Sequence, residues 1–146
     1  MAAFAPDRPL PEGARAMPHV RRWLDRWRPL EPGVCYEEQQ RIVGAAWTRR
    51  VEPVLARSVA REPLPEAVVA VEPDRRGQGI GARLLEALVA RAREAGAPGV
   101  CVSVSERNLN AARLYERVGL VATGCTATGL ETMELHFDTD REGFRF

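Results

Sequence analysis

The chain has 146 residues, of which 45% are hydrophobic and 28% charged, and its formal net charge is +1. That length suits one domain with a real core, and the near-neutral balance without a basic block leaves no footprint for a nucleic-acid partner. There is no apolar run that could span a membrane and no signal-peptide pattern, so cytoplasmic residence is the default expectation.

In chain order, Met1 to Glu12 is rich in proline and alanine without periodicity and reads as a loose arm. Met17, Val20, Leu24 and Trp27 repeat at helical spacing among arginines, and Pro29 ends that amphipathic helix. Val34 to Glu38 and Arg41 to Arg49 read as a strand pair around Gln39-Gln40, with Arg49-Arg50 on a solvated face. Val51 to Pro65 holds three prolines and reads as a loop with some helical character. Glu66 to Val71 is a short apolar strand suited to the middle of a sheet.

A turn at Pro73-Asp74 follows, and Gly77, Gly79 and Gly81 then open a helix carrying Ile80, Leu84, Leu85, Leu88 and Ala92, closed at Gly96. Val100 to Val104 is the next strand and Asn108 to Val118 the next helix, with Gly119 beyond its end. A weakly marked strand near Leu120 to Gly124 and an alternating one over Leu130 to Phe137 complete the order. With no internal repeat and no linker, the reading is a single mixed α/β domain, an α+β mixed sheet built around one strand–loop–helix–strand unit.

The glycine segment carries chemistry. Residues without a Cβ let backbone N–H groups turn outward and let a bulky anion approach. The helix that begins there adds the positive end of its dipole. Arg75 and Arg76 stand just upstream with side chains able to pair phosphate oxygens. The N–H groups of Gly77, Gln78, Gly79, Ile80 and Gly81 can therefore cradle a pyrophosphate. The same run also satisfies a Gly-x-Gly-x-x-Ala dinucleotide pattern, with Glu106 as a candidate ribose acid. However, five residues, Glu72 to Arg76, separate the first glycine from its strand, where a dinucleotide fold leaves almost none.

Arg76 to Gly81, an Arg-x-x-Gly-x-Gly loop, is followed after one strand by Asn108 to Tyr115, an Asn-x-x-Ala-x-x-Leu-Tyr helix. In order and spacing these segments resemble the GNAT superfamily of N-acetyltransferases, over about Val34 to Phe137. The resemblance implies the GNAT-type acyl-CoA N-acyltransferase fold and acetyl transfer from acetyl-CoA to a primary amine in a ternary complex. It implies that Arg76 to Gly81 binds the acetyl-CoA pyrophosphate and that pantetheine pairs with the backbone of Val69 and Val71. It also places Tyr115 beside the thioester sulfur and the acceptor amine on a small molecule or a peptide.

Tyr115 can donate its proton to the leaving thiolate, since a phenol near pKa ~10 and a thiol near ~8.5 are not far apart. Packing at a helix face would equally explain the residue. Glu66 begins the central strand on the face opposite Ala67, Val69 and Val71. By the resemblance it is the first candidate for the base that deprotonates the amine; a solvated strand start, or a water chain as base, are the alternatives. A strand N–H near Val69 or Val71 suits the oxyanion. Asn108 can bond the pantetheine arm, cap its helix, or do both.

Cys35, Cys101 and Cys125 are odd in number and far apart, and neither His19 nor His136 has a partner at metal spacing, so neither disulfides nor a metal are expected. Cys101 reads as core. The family's usual start, a strand and two helices, is represented here by one helix and a proline-rich arm. A shortened start or a second subunit in a homodimer would account for that. A rival of another class is a catalytically silent acyl-CoA sensor, which the presence of Tyr115 disfavours.

Overall fold

The computed structural model describes residues 31–50 and 54–137. The arm over 1–12, the helix around Met17 to Trp27 and the start of the Val51 to Pro65 connection lie outside them. The elements are β1 (Gly33–Glu38), β2 (Arg41–Arg49), β3 (Glu66–Val71), a 3-10 turn (Pro73–Arg75), α1 (Ile80–Glu94), β4 (Gly99–Val104), α2 (Leu109–Val118), β5 (Val121–Cys125) and β6 (Glu131–His136). The strands form one sheet in the order β1-β2-β3-β4-β6-β5, antiparallel everywhere except between β3 and β4. This is the mixed α/β architecture expected, with β3 and β4 at its centre. Among the described residues, no helix is long and apolar enough to cross a membrane.

Local rules explain most of the elements. β1 and β2 turn on Gln39 and Gln40, both in the left-handed region at φ 49° and 64°, which gives the twist a two-residue hairpin loop requires. The apolar stripe of α1 (Ile80, Leu84, Leu85, Leu88 and Ala92) is buried and lies over the same sheet face as Val69, Val100 and Val102, in one core with Tyr115 and Met133. Gly44 in β2 admits the helix. A Cβ there would sit 2.8 Å from Leu84 Cδ1 and 3.3 Å from Ile80 Cγ2. α2 starts on Asn108, whose side-chain oxygen accepts from Ala111 N at 3.1 Å, and ends at Gly119 with φ 108°.

Two expectations are corrected. Among residues 54–65 there is no helix. An antiparallel bridge between Arg57 and Pro63 closes a small loop instead, with Ser58 N to Glu62 O at 2.8 Å and Leu64 N to Ala56 O at 2.9 Å. Pro63 and Pro65 lack the N–H a helix needs, and Leu64 is buried against Ala56 and Cys101. Arg49 is not on a solvated face: its side chain is 4% exposed, with Nε 3.8 Å from Glu31 Oε2. Arg50 alone is exposed.

One departure from regular pairing shapes the molecule. β3 and β4 share a single registered pair, Glu66 with Cys101, reinforced by Cys101 N donating to Pro65 O at 3.0 Å. β2, by contrast, follows β3 along its whole length. Glu72 N donates to Val43 O at 2.8 Å across β2. Backbone direction alternates along a strand, so the N–H and C=O groups of Val69 and Val71 turn to the opposite edge, toward the gap.

Left-handed backbone costs a residue with a side chain about 1–2 kcal/mol, part of which glycine returns through its freer unfolded chain. Gln40→Gly is therefore expected to raise unfolding stability by about 0.5–1 kcal/mol, read from the urea midpoint at unchanged slope. A lower midpoint would contradict the hairpin geometry.

Candidate active site

The chain leaves β3 through the turn of Pro73–Arg75 and passes Arg76 in extended conformation, φ −72° and ψ 158°. Gly77 and Gly79 then take φ 75° and 81°, which side chains resist, so the residue type follows from the backbone. Gly79 is the N-cap of α1. No side chain caps the helix and its first turn holds no acid. Its leading N–H groups and positive dipole end thus stay available to an anion. Gly81 serves differently: a Cβ there would lie 3.3 Å from Leu114 Cδ2, so the missing side chain lets α1 approach α2.

This loop, the free edge of β3 and the start of α2 enclose a cavity of about 230 Å³. Of the residues expected at a cosubstrate site, Val69, Val71, Arg76, Gly77, Gly79, Ile80, Gly81 and Asn108 line it. Gln78 is exposed and is not in the wall, although it belongs to the same loop. Asn108 is 5% exposed, and its carbonyl oxygen is engaged in the cap, so the capping role holds while the residue also faces the cavity. The sequence reading missed Asn110, Leu114 and Arg117, which also line it. Their spacing of four and three residues on α2 was the available signal, because such positions share one helix face.

Two arginines stand at the loop in fixed poses. Arg75 Nε donates to Glu38 Oε2 at 2.8 Å, tying the loop to the β1–β2 hairpin. Arg76 Nε donates to Val71 O at 3.2 Å, while its Nη1 is buried with no hydrogen-bond partner. A buried charged donor left unpaired is costly, on the order of 1–3 kcal/mol or more. A pyrophosphate fits the donor set at the loop: uncapped helix N–H groups, a glycine bend and Arg76 in the cavity wall.

Tyr115 and Glu66 are not in the cavity wall. Both are buried, at 2% and 1% exposure, so the solvated-strand-start reading of Glu66 fails. Ser103 Oγ donates to Glu66 Oε1 at 2.9 Å. Burial first, and the charge of Glu66 second, push the Tyr115 phenol well above its ordinary value. Complete proton transfer from this phenol to a thiolate is therefore more uphill than the free pKa values suggest. What the hydroxyl offers is a neutral hydrogen-bond donor. Cys101 is fully buried, its Sγ 3.6 Å from Leu64 O, and packs in the core as expected. Among the described residues, no group of three His, Cys, Asp or Glu side chains is arranged to hold a metal ion.

A model of the acetyltransferase (GNAT) family matches residues 2–120. No curated protein matches the chain. Among solved structures, yncA of Salmonella typhimurium with its cofactor acetyl-CoA is 23% identical at a TM-score of 0.63, covering 82% of this chain and 69% of that one. The ribosomal-protein-alanine N-acetyltransferase of Brucella melitensis is 24% identical with a TM-score of 0.67, covering 82% and 77%. An N-acetyltransferase of Staphylococcus aureus Mu50 is 21% identical with a TM-score of 0.65, covering 93% and 82%. At these identities the likeness is one of fold.

A phenol whose folded pKa lies above the unfolded value near ~10 adds stability that is complete below that value and is lost as pH climbs through the folded one. At about pH 10.5, the near-ultraviolet phenolate signal of wild type minus Tyr115→Phe is expected to stay flat until the protein unfolds. A difference signal titrating in the native state would contradict the burial of this hydroxyl.

Proposed function

The chain belongs to the acetyltransferase (GNAT) family, and on that premise we propose that it moves the acetyl group of acetyl-CoA to a primary amine by direct attack in a ternary complex. The observation that carries the reading is the cavity at the uncapped start of α1, with the unmet buried donor of Arg76 beside it. The phosphates of acetyl-CoA suit that helix start, and its pantetheine arm suits the edge of β3 beyond its one registered pair with β4. The likeness in fold to a protein solved with acetyl-CoA supports the same choice.

In the proposed reaction the amine nitrogen attacks the thioester carbonyl, a C–N bond forms, and the C–S bond breaks. Glu66 receives the ammonium proton, directly or through water; its burial beside Ser103 keeps it from bulk solvent and fixes its direction. The backbone N–H of Val69 or Val71 stabilises the oxyanion. Tyr115 acts as a neutral donor to the departing sulfur and lowers the energy of the thiolate without giving up its proton. A thiol of pKa near ~8.5 is a fair leaving group, so a hydrogen bond suffices. The acceptor is an amine on a small molecule or a peptide.

Titration calorimetry with acetyl-CoA, with NADH as control, and thiol release with a panel of primary amines test the proposal. Binding of acetyl-CoA alone and amine-dependent thiol release are expected. Acetyl-CoA binding without release for any amine would instead indicate a silent acyl-CoA sensor. Tyr115→Phe is expected to cut turnover about a hundredfold with affinity for acetyl-CoA almost unchanged; the reverse pattern would remove its role. Gly79→Val, which forces a β-branched residue to φ 81°, is expected to weaken acetyl-CoA binding about tenfold or more.

A further inference from the structure

Three arginines, Arg75, Arg76 and Arg117, line the cavity. The first is oriented by Glu38 and the second by Val71 O. Arg117 comes from another element, the last turn of α2, and no carboxylate salt bridge engages it among the described residues. It shares the cavity-facing row of that helix with Asn110 and Leu114. Arg113 stands one turn before it, so two like charges lie at i and i+4, an arrangement that slightly destabilises a helix. The macrodipole accounts for a cation in a last turn. It does not account for one in the wall of a cavity whose opposite side already carries two.

Acetyl-CoA carries more phosphate than the glycine loop can hold. Its pyrophosphate is matched by the α1 N–H groups and Arg76. Its ribose 3′-phosphate is a separate monoester with a charge of about −1.5 to −2 and three strong acceptor oxygens. A planar guanidinium is well suited to such a group. We propose that Arg117, backed by Arg113, binds the ribose 3′-phosphate and makes the protein selective for coenzyme A thioesters over their 3′-dephospho forms. The inference rests on the acetyl-CoA reading and adds the residue that sets cosubstrate choice. An anion between the two arginines also reverses their mutual repulsion.

The test is calorimetric titration of wild type and Arg117→Gln with acetyl-CoA and with acetyl-3′-dephospho-CoA. A charge-assisted bond at a site open to solvent predicts that wild type prefers acetyl-CoA about five- to tenfold. Arg117→Gln is expected to lose that preference by weakening acetyl-CoA alone, and Arg117→Lys, which keeps the charge without the fork, to fall between. Equal affinity of wild type for both ligands overturns the assignment while leaving the cosubstrate reading intact. Equal weakening of both ligands by Arg117→Gln overturns it as well. Failure of wild type to bind either ligand removes the cosubstrate reading itself, and this inference with it.

Discussion

Everything at the candidate site depends on the parting of β3 from β4 after one registered pair. A parallel neighbour along all of β3 would consume the backbone groups of Val69 and Val71, and no slot would open. Instead the pair is pinned at its base by Cys101 N on Pro65 O, 3.0 Å, and by Ser103 on Glu66. Above that clamp the strands diverge. The gap is stable because β2 holds β3 along its other edge and β6 does the same for β4. It lies where the loops leading into both helices emerge, so backbone edge, glycine loop and α2 meet around one cavity.

The electrostatics follow from that geometry. At the loop, N–H groups without a capping side chain stand beside Arg76 and Arg117, while Arg75 is paired with Glu38. Outside the cavity wall, at Tyr115 and Glu66, burial dominates. Tyr115 is held neutral and Glu66 is shut away from bulk water. In the proposed reaction an anionic carrier meets the entrance, and the proton passes to the buried groups. This division suits a reaction in which the phosphates only hold and the thioester end reacts. It also bears on Tyr115: a phenol pushed up by burial gives away its proton less readily than in water.

Much of this was legible in the residues because it is set locally. Hairpin length marked β1 and β2, alternation marked β6, and periodicity marked α1. Asn108 announced its cap, and the glycines announced the bend, since positive φ at Gly77 and Gly79 is a demand of the backbone itself. Other features depend on what lies across space. Nothing in Glu66 to Val71 says that its neighbour on one side stops after one pair, and Arg49 looks like Arg50 until strand direction buries one of them. The stretch before β3 invited a helical reading, but Pro63 and Pro65 withhold the N–H groups and the chain closes as a bridge instead. Arg117 joins the site only once the face that α2 turns to the cavity is known. Gly81 was read as a phosphate contact, and its missing side chain also has a packing role between helices.

Amide hydrogen exchange at Val69 and Val71, with and without saturating acetyl-CoA, tests the central claim most directly. If the parted edge of β3 is where the pantetheine arm pairs, exchange at both amides slows on binding, together with that of the Gly77 to Gly81 loop. Slowed exchange in the loop with Val69 and Val71 unchanged would contradict it, leaving a phosphate cradle with no slot behind it.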